Sequence, residues 1–138
     1  MTVFTRTAPI RFADCDTAGL IFYPRFFELV NEMVEDWFAG PLETSFKALH
    51  VEARKGVPTA HLSADFILPV RLGDVLEQSL AIVHLGGASC RLNHTAKVRG
   101  ARVARFDHTI VYADLNAMKP EPWPDPLRAR MAPFVEGA

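Results

Sequence analysis

Across residues 24–38 the apolar side chains Phe26, Phe27, Leu29, Val30, Met33, Val34, Trp37 and Phe38 recur at spacings of three and four, which predicts a helix. At about 100° per residue they fill a broad arc. Arg25, Glu28, Glu32, Glu35 and Asp36 occupy the opposite arc, with Asn31 on the border. Pro24 suits the first turn, where its missing N–H would have had no partner, and Gly40 with Pro41 supplies the stop. So wide an apolar face implies a helix nearly enclosed by other structure. A weaker helical pattern covers residues 44–54.

On either side of this helix the period changes to two. Residues 3–12 alternate loosely and predict a half-buried strand with Pro9 near an edge or bulge. Alternating, β-branched segments at 57–70, 75–85, 89–98 and 102–113 predict further strands, with turns at 71–74, 86–87 and 99–101. Pro120, Pro122, Pro124 and Pro126 argue against regular structure there, and a short helix at 127–134 is expected to follow. A strand, a long helix and a run of antiparallel strands predict one α+β domain spanning residues 1–138. Such a sheet has one face to cover, and only the helix at 24–38 is apolar enough to lie in its concave side.

Composition narrows the function classes. With 138 residues, 49% of them apolar, the chain can build one hydrophobic core but not two. A net charge of −1 gives no general attraction for phosphodiester backbones, so a nucleic-acid partner is not expected. The longest apolar stretch, 18–24, falls far short of the roughly 20 residues that cross a bilayer, so no membrane is expected either. Arg6 and Arg11 interrupt the first residues before a secretory segment could form, and two cysteines without metal-finger spacing fit a reducing compartment. A cytoplasmic protein is the expectation. His50, His84, His94 and His108 are scattered without metal-ligand spacing, and no metal is expected.

The chemistry is most concentrated in the loop Asp14, Cys15, Asp16, Thr17, Ala18, Gly19 and the segment that follows it to Tyr23 and Pro24. Two carboxylates and a glycine stand just before the start of the helix. A helix start offers unpaired N–H groups and a partial positive charge that can hold an oxyanion. A carboxylate beside it could attack an acyl carbon or activate water, although Asp and Gly are also ordinary cap and turn formers. Asp14 reads as a loop anchor, and Cys15 as a weak nucleophile candidate, having no histidine near it in sequence.

The string RFADCDTAGLIFYP at 11–24 resembles the signature of the 4-hydroxybenzoyl-CoA thioesterase family, whose pattern is close to F-x-D-x-D-x-x-G-x-x-x-Y. Gly56-Val57-Pro58, Ala64-Asp65-Phe66 and Gly73-Asp74 also stand where that family has them, so the similarity covers about residues 6–113. The resemblance implies a hot-dog fold, an antiparallel sheet wrapped around a long central helix. It implies hydrolysis of an acyl-CoA thioester, with an aromatic or short-to-medium acyl group, to the free acid and CoA. CoA is then part of the substrate, and no separate cofactor is implied. Asp16 takes the place of the catalytic nucleophile or general base, and Tyr23 that of the residue whose backbone N–H polarises the carbonyl. Gly19 would allow close passage of the loop at the site, Thr59 would line the substrate channel, and Phe46 would be an aromatic neighbour of the substrate. His61, two residues beyond Thr59, is expected on the same strand face and near the pocket.

Two departures accompany the resemblance. Paired basic residues that hold CoA phosphates in the best-studied branch are replaced by Gly86 and Gly87, and only Ser89 remains as a polar contact. Arg91, Lys97, Arg99, Arg102 and Arg105 become the alternatives for nucleotide binding. The helix position that carries an aspartate for a phenol in that branch is Asn31, which offers no charge-assisted bond, so the acyl group stays open. A non-catalytic acyl-CoA-binding hot-dog protein is the second reading. A dehydratase is a weaker third, because its Asp-x-Asn-x-x-His arrangement is absent: Ile21 stands five residues after Asp16. One sheet on one helix leaves no room for both a core and a deep CoA pocket, so a homodimer or homotetramer with its site between subunits is expected.

Overall fold

The computed structural model describes residues 2–137. The long helix, α1, spans Pro24–Ala39, and the side chains it buries are Phe26, Leu29, Val30, Met33, Val34, Trp37 and Phe38. These belong to the apolar arc expected from the sequence. The helix lies against a five-stranded antiparallel sheet of β1 (Phe4–Pro9), β3 (Thr59–Phe66), β4 (Val75–Leu85), β5 (Ser89–Val98) and β6 (Ala101–Val111). The spatial order is β1-β4-β5-β6-β3, which leaves β1 and β3 as edges. A second, smaller sheet joins β2 (Lys55–Gly56), β7 (Ala113–Asp114) and β8 (Lys119–Pro120). The fold is the α+β hot-dog arrangement.

Two apolar clusters divide the core along the helix. Phe26, Leu29 and Val30 pack with Leu76, Ala96 and Phe106, whereas Met33, Val34, Trp37 and Phe38 pack with Leu80, Leu92 and Ile110. Alternation on β5 makes this possible, since Cys90, Leu92, His94, Ala96 and Val98 all point inward.

Several boundaries differ from the sequence expectation. The strand expected at 57–70 is confined to Thr59–Phe66, between Pro58 and Pro69, neither of which can donate to a ladder. The first strand ends at Pro9, on an edge. The last expected strand breaks after Val111, and Ala113–Asp114 turns away to pair with Lys55–Gly56. The proline-rich segment is more regular than expected. Pro120 pairs with Ala113 on β8, and α2 (Asp125–Met131) takes Pro126 into its first turn, where no intrahelical donor is lost. A tight turn at Ala132–Phe134 completes the terminal helical segment. The weak helical pattern at 44–54 becomes one wide turn, Lys47–Glu52, closed by Ala53 N–H donating to Ala48 C=O.

Candidate active site

The Asp16 loop is held from both sides. Asp14 is buried and accepts from the Arg11 N–H at 2.8 Å and from Arg25 Nε at 2.6 Å. Burial pushes its carboxyl up, but those two bonds and the Arg25 charge outweigh this and hold it below the usual carboxylate value. The loop is thereby tied to the first turn of α1. Leu20 bridges to Arg71, Ile21 N–H donates to Val70 C=O and Leu72 N–H to Gly19 C=O, which pins the other flank to the start of β4.

Asp16 itself is exposed. Its Oδ1 accepts from Ala18 N–H at 2.8 Å and Leu20 N–H at 3.2 Å, while Oδ2 makes no hydrogen bond among the described residues. The carboxylate is therefore oriented by one oxygen and open at the other. Gly19 has φ +75°, a left-handed value that favours glycine, and no described atom lies within 4 Å of where a Cβ would stand. Backbone conformation, and not crowding within the chain, explains the residue. At Tyr23, 60% exposed, the backbone N–H has no acceptor among the described residues; Arg25 and Phe26 N–H already turn back to Phe22 and Tyr23 C=O. Pro24 contributes no donor. Tyr23 N–H is thus the free amide at the helix start.

Cys15 does not compete as a nucleophile. Burial raises its thiol pKa, the charges of Asp14 and Asp16 raise it further, and Sγ donates to Arg11 C=O at 3.4 Å.

A separate cleft of about 430 Å³ opens between α1, the wide turn and the first residue of β3. It brings together Asn31, Phe46 and Thr59 of the expected substrate contacts and adds His50 and His108. The wide turn explains part of this grouping, because His50 Nδ1 lies 3.0 Å from Phe46 C=O and the two rings meet edge to face. Thr59 Oγ1 lies 2.8 Å from His108 Nε2, and His108 Nδ1 lies 3.2 Å from His94 Nε2. Sequence reading set both histidines aside as scattered. Their inward phase, between Leu92 and Ala96 on β5 and between Phe106 and Ile110 on β6, was the available signal.

His61 requires a correction. Thr59 pairs with Ile110 but His61 pairs with Thr109, so Ala60 is an extra residue that shifts the phase of β3. Thr59 therefore faces inward and His61 outward, beside Asp107, and the two do not share a face. Ser89 lies elsewhere again, at the β4–β5 turn, where its C=O accepts from Gly86 N–H and Trp123 Nε1. A Cβ on Gly86 would stand 2.6 Å from Ser89 Oγ, so close approach accounts for glycine at this turn. Arg128 Nη1 donates to Gly86 C=O at 2.7 Å, bringing from α2 a cation that reading the turn alone could not place there. Of the basic residues on the sheet, Arg91 pairs with Asp107, Arg99 with Asp74 and Arg105 with Asp65. Lys97 and Arg102 make no ion pair among the described residues.

No described helix is long and apolar enough to cross a membrane. A 1,4-dihydroxy-2-naphthoyl-CoA hydrolase from Nostoc punctiforme is 26% identical over 127 residues, 90% of this chain and 83% of that one. Three other hydrolases of that name match over 47% to 65% of their own lengths. Among solved structures, a 1,4-dihydroxy-2-naphthoyl-CoA thioesterase from Synechocystis superposes with a TM-score of 0.86 at 23% identity, covering 95% of this chain and 96% of that one. A Staphylococcus aureus protein solved in complex with CoA superposes at 0.89 and 14% identity, covering 98% and 85%. The sequence model of the thioesterase-like superfamily matches residues 10–131, and the chain belongs to that superfamily.

Proposed function

We propose that the protein hydrolyses an acyl-CoA thioester, with Asp16 as nucleophile or general base and Tyr23 N–H as the donor to the thioester oxygen. The observation that carries this reading is the pairing, on one short loop, of an open carboxylate oxygen with a free amide at a helix start. Attack on the carbonyl carbon places negative charge on its oxygen, where the amide and the helix dipole stabilise it. Asp16 either forms an anhydride that water then opens or takes a proton from the attacking water. The thiolate leaves without needing a strong acid. The names of the curated relatives, CoA hydrolases, support the reaction class.

The acyl group is assigned to the cleft at Thr59, and this makes the site an assembly of two copies. Within one chain the cleft does not include Asp16 or Tyr23. Tyr23 packs on Phe66, the last residue of β3, while Thr59 is the first, about 23 Å away at ~3.3 Å per residue. Because β3 is an edge, a two-fold antiparallel pairing of two β3 strands sets the Phe66 end of one copy beside the Thr59 end of the other. Phe22, Tyr23, Phe66, Ile67 and Leu68 are exposed apolar residues at that end and suit such a contact. On these grounds we propose a homodimer or homotetramer, and the free thiols of Cys15 and Cys90 support a reducing, cytoplasmic setting.

Release of free thiol from a panel of aromatic and aliphatic acyl-CoAs tests the reaction. Turnover by the wild type, lost in a folded Asp16→Asn protein, is expected. Tight binding of several thioesters with cleavage of none would instead favour the acyl-CoA-binding reading.

A further inference from the structure

One polar row crosses the inner face of the sheet at the seam between its two apolar clusters. It includes Arg6 on β1, Gln78 on β4, His94 on β5, His108 on β6 and Thr59 on β3, one residue from every strand in spatial order. Arg6 Nε donates to Gln78 Oε1 at 2.8 Å, and Gln78 Nε2 donates to Leu29 C=O at 3.2 Å. At the other end His94, His108 and Thr59 are joined by contacts of 3.2 and 2.8 Å. The row is broken only between Gln78 and His94. There His94, 3% exposed, leaves Nδ1 buried with no partner, and both residues line a small void of about 10 Å³. That is the lower limit of the space one water needs.

The chain of bonds has a direction. Gln78 Oε1 accepts from Arg6 and one Nε2 hydrogen goes to Leu29 C=O, which leaves one lone pair and one N–H. A water that accepts it can donate to His94 Nδ1. His94 Nε2–H then donates to His108 Nδ1, and His108 Nε2–H donates to Thr59 Oγ1. Thr59, which lines the cleft, is left with its own hydroxyl hydrogen to donate. The opposite direction would put a hydrogen on His94 Nδ1, which has no acceptor among the described residues. Without the water it would bury an orphan N–H, which is rarer than an orphan acceptor. Burial pushes His94 down to about 3 and His108 to about 4, so each ring carries a single hydrogen near pH 7.

We propose that His94 and His108 are positioning groups that make the Thr59 hydroxyl a fixed hydrogen-bond donor to an oxygen of the acyl group. The inference rests on assigning the cleft to the acyl group. It makes the cleft selective for acyl groups that carry an acceptor oxygen at this point.

Two measurements test it. In protein labelled with ¹⁵N-histidine, long-range ¹H–¹⁵N spectra near pH 7 are expected to show both rings protonated at Nε2; Nδ1–H on either ring overturns the chain. This readout does not depend on activity. The second compares 4-hydroxybenzoyl-CoA with benzoyl-CoA, which differ by one ring oxygen. Thr59→Val is expected to lower kcat/KM for the hydroxylated thioester about tenfold relative to the other. Thr59→Ser, which restores the hydroxyl, keeps the ratio within about threefold of wild type. Equal losses on both thioesters in Thr59→Val, or failure of serine to restore the ratio, overturn the role of Thr59. Cleavage of no thioester by the wild type would overturn the hydrolase reading and with it this role, while the histidine spectra would still decide the chain.

Discussion

The start of α1 and its middle hold polar groups in opposite ways. At the Asp16 loop the polar atoms are exposed and oriented by backbone: Oδ1 is held by two loop amides and Oδ2 is open. Behind the cleft the histidines are buried and oriented by side chains, with His108 2% exposed and tied to Thr59 and His94. An exposed carboxylate keeps its charge and can react. A buried neutral network cannot easily change protonation and so serves better to hold a hydroxyl in one orientation. In the proposed site the reacting group therefore belongs to the loop and recognition to the cleft.

The largest expected effect lies at the loop. Asp16→Asn keeps both amide bonds through its carboxamide oxygen but removes the nucleophile or base, and kcat is expected to fall about 10³-fold with the unfolding midpoint nearly unchanged. Steady-state thiol release and thermal unfolding of the purified variant check it. The next largest is at the cleft. His94 and His108 have depressed values in the folded protein, so below the ordinary histidine value of 6.5 the unfolded chain binds protons that the folded chain does not. Stability is complete above that value and falls as pH drops toward 4. Between pH 7 and pH 5 the loss is roughly 1–2 kcal/mol for each histidine, measurable by urea unfolding.

Smaller effects separate anchoring from chemistry at the loop. Arg25→Met leaves the Asp14 carboxylate without its guanidinium and is expected to cost about 1–3 kcal/mol in stability. It also raises the Asp14 pKa, an effect visible by carbon NMR of the carboxyl. Gly19→Ala places a Cβ at φ +75° and costs about 1 kcal/mol, with no steric clash to add to it. A much larger loss of activity than of stability in this variant would show that the loop conformation itself matters to the reaction.

The loop end was the more legible of the two in the sequence. Its residues are contiguous, so Asp16, Gly19 and Tyr23 could be read together, and the buried arc of α1 followed from periodicity alone. The cleft is assembled by register. Asn31, Phe46 and Thr59 were each singled out without any means of seeing that they meet. His94 and His108 become neighbours only because Leu92 pairs with His108 and His94 with Phe106, a stagger that no single strand encodes. The face of His61 was misread for a related reason. One extra residue at Ala60 reverses the alternation, and a bulge leaves no mark in a run of alternating residues. The proline-rich segment concealed a short strand and a helix start because Pro120 sits on an edge and Pro126 in a first turn, the two places where a missing donor costs little.

In the proposed site Asp16 of one copy serves the cleft of another. Asp16→Asn protein, with an intact cleft, and Asn31→Trp protein, with an intact Asp16 and a filled cleft, are each expected to be nearly inactive. Unfolded together in equal amounts and refolded, half the dimers are mixed, and each mixed dimer holds one site in which both parts are intact. The prediction is recovery to about a quarter of wild-type thiol release. No recovery above the two separate variants, in material shown to contain mixed dimers, would place Asp16 and its cleft in the same chain and contradict the shared site.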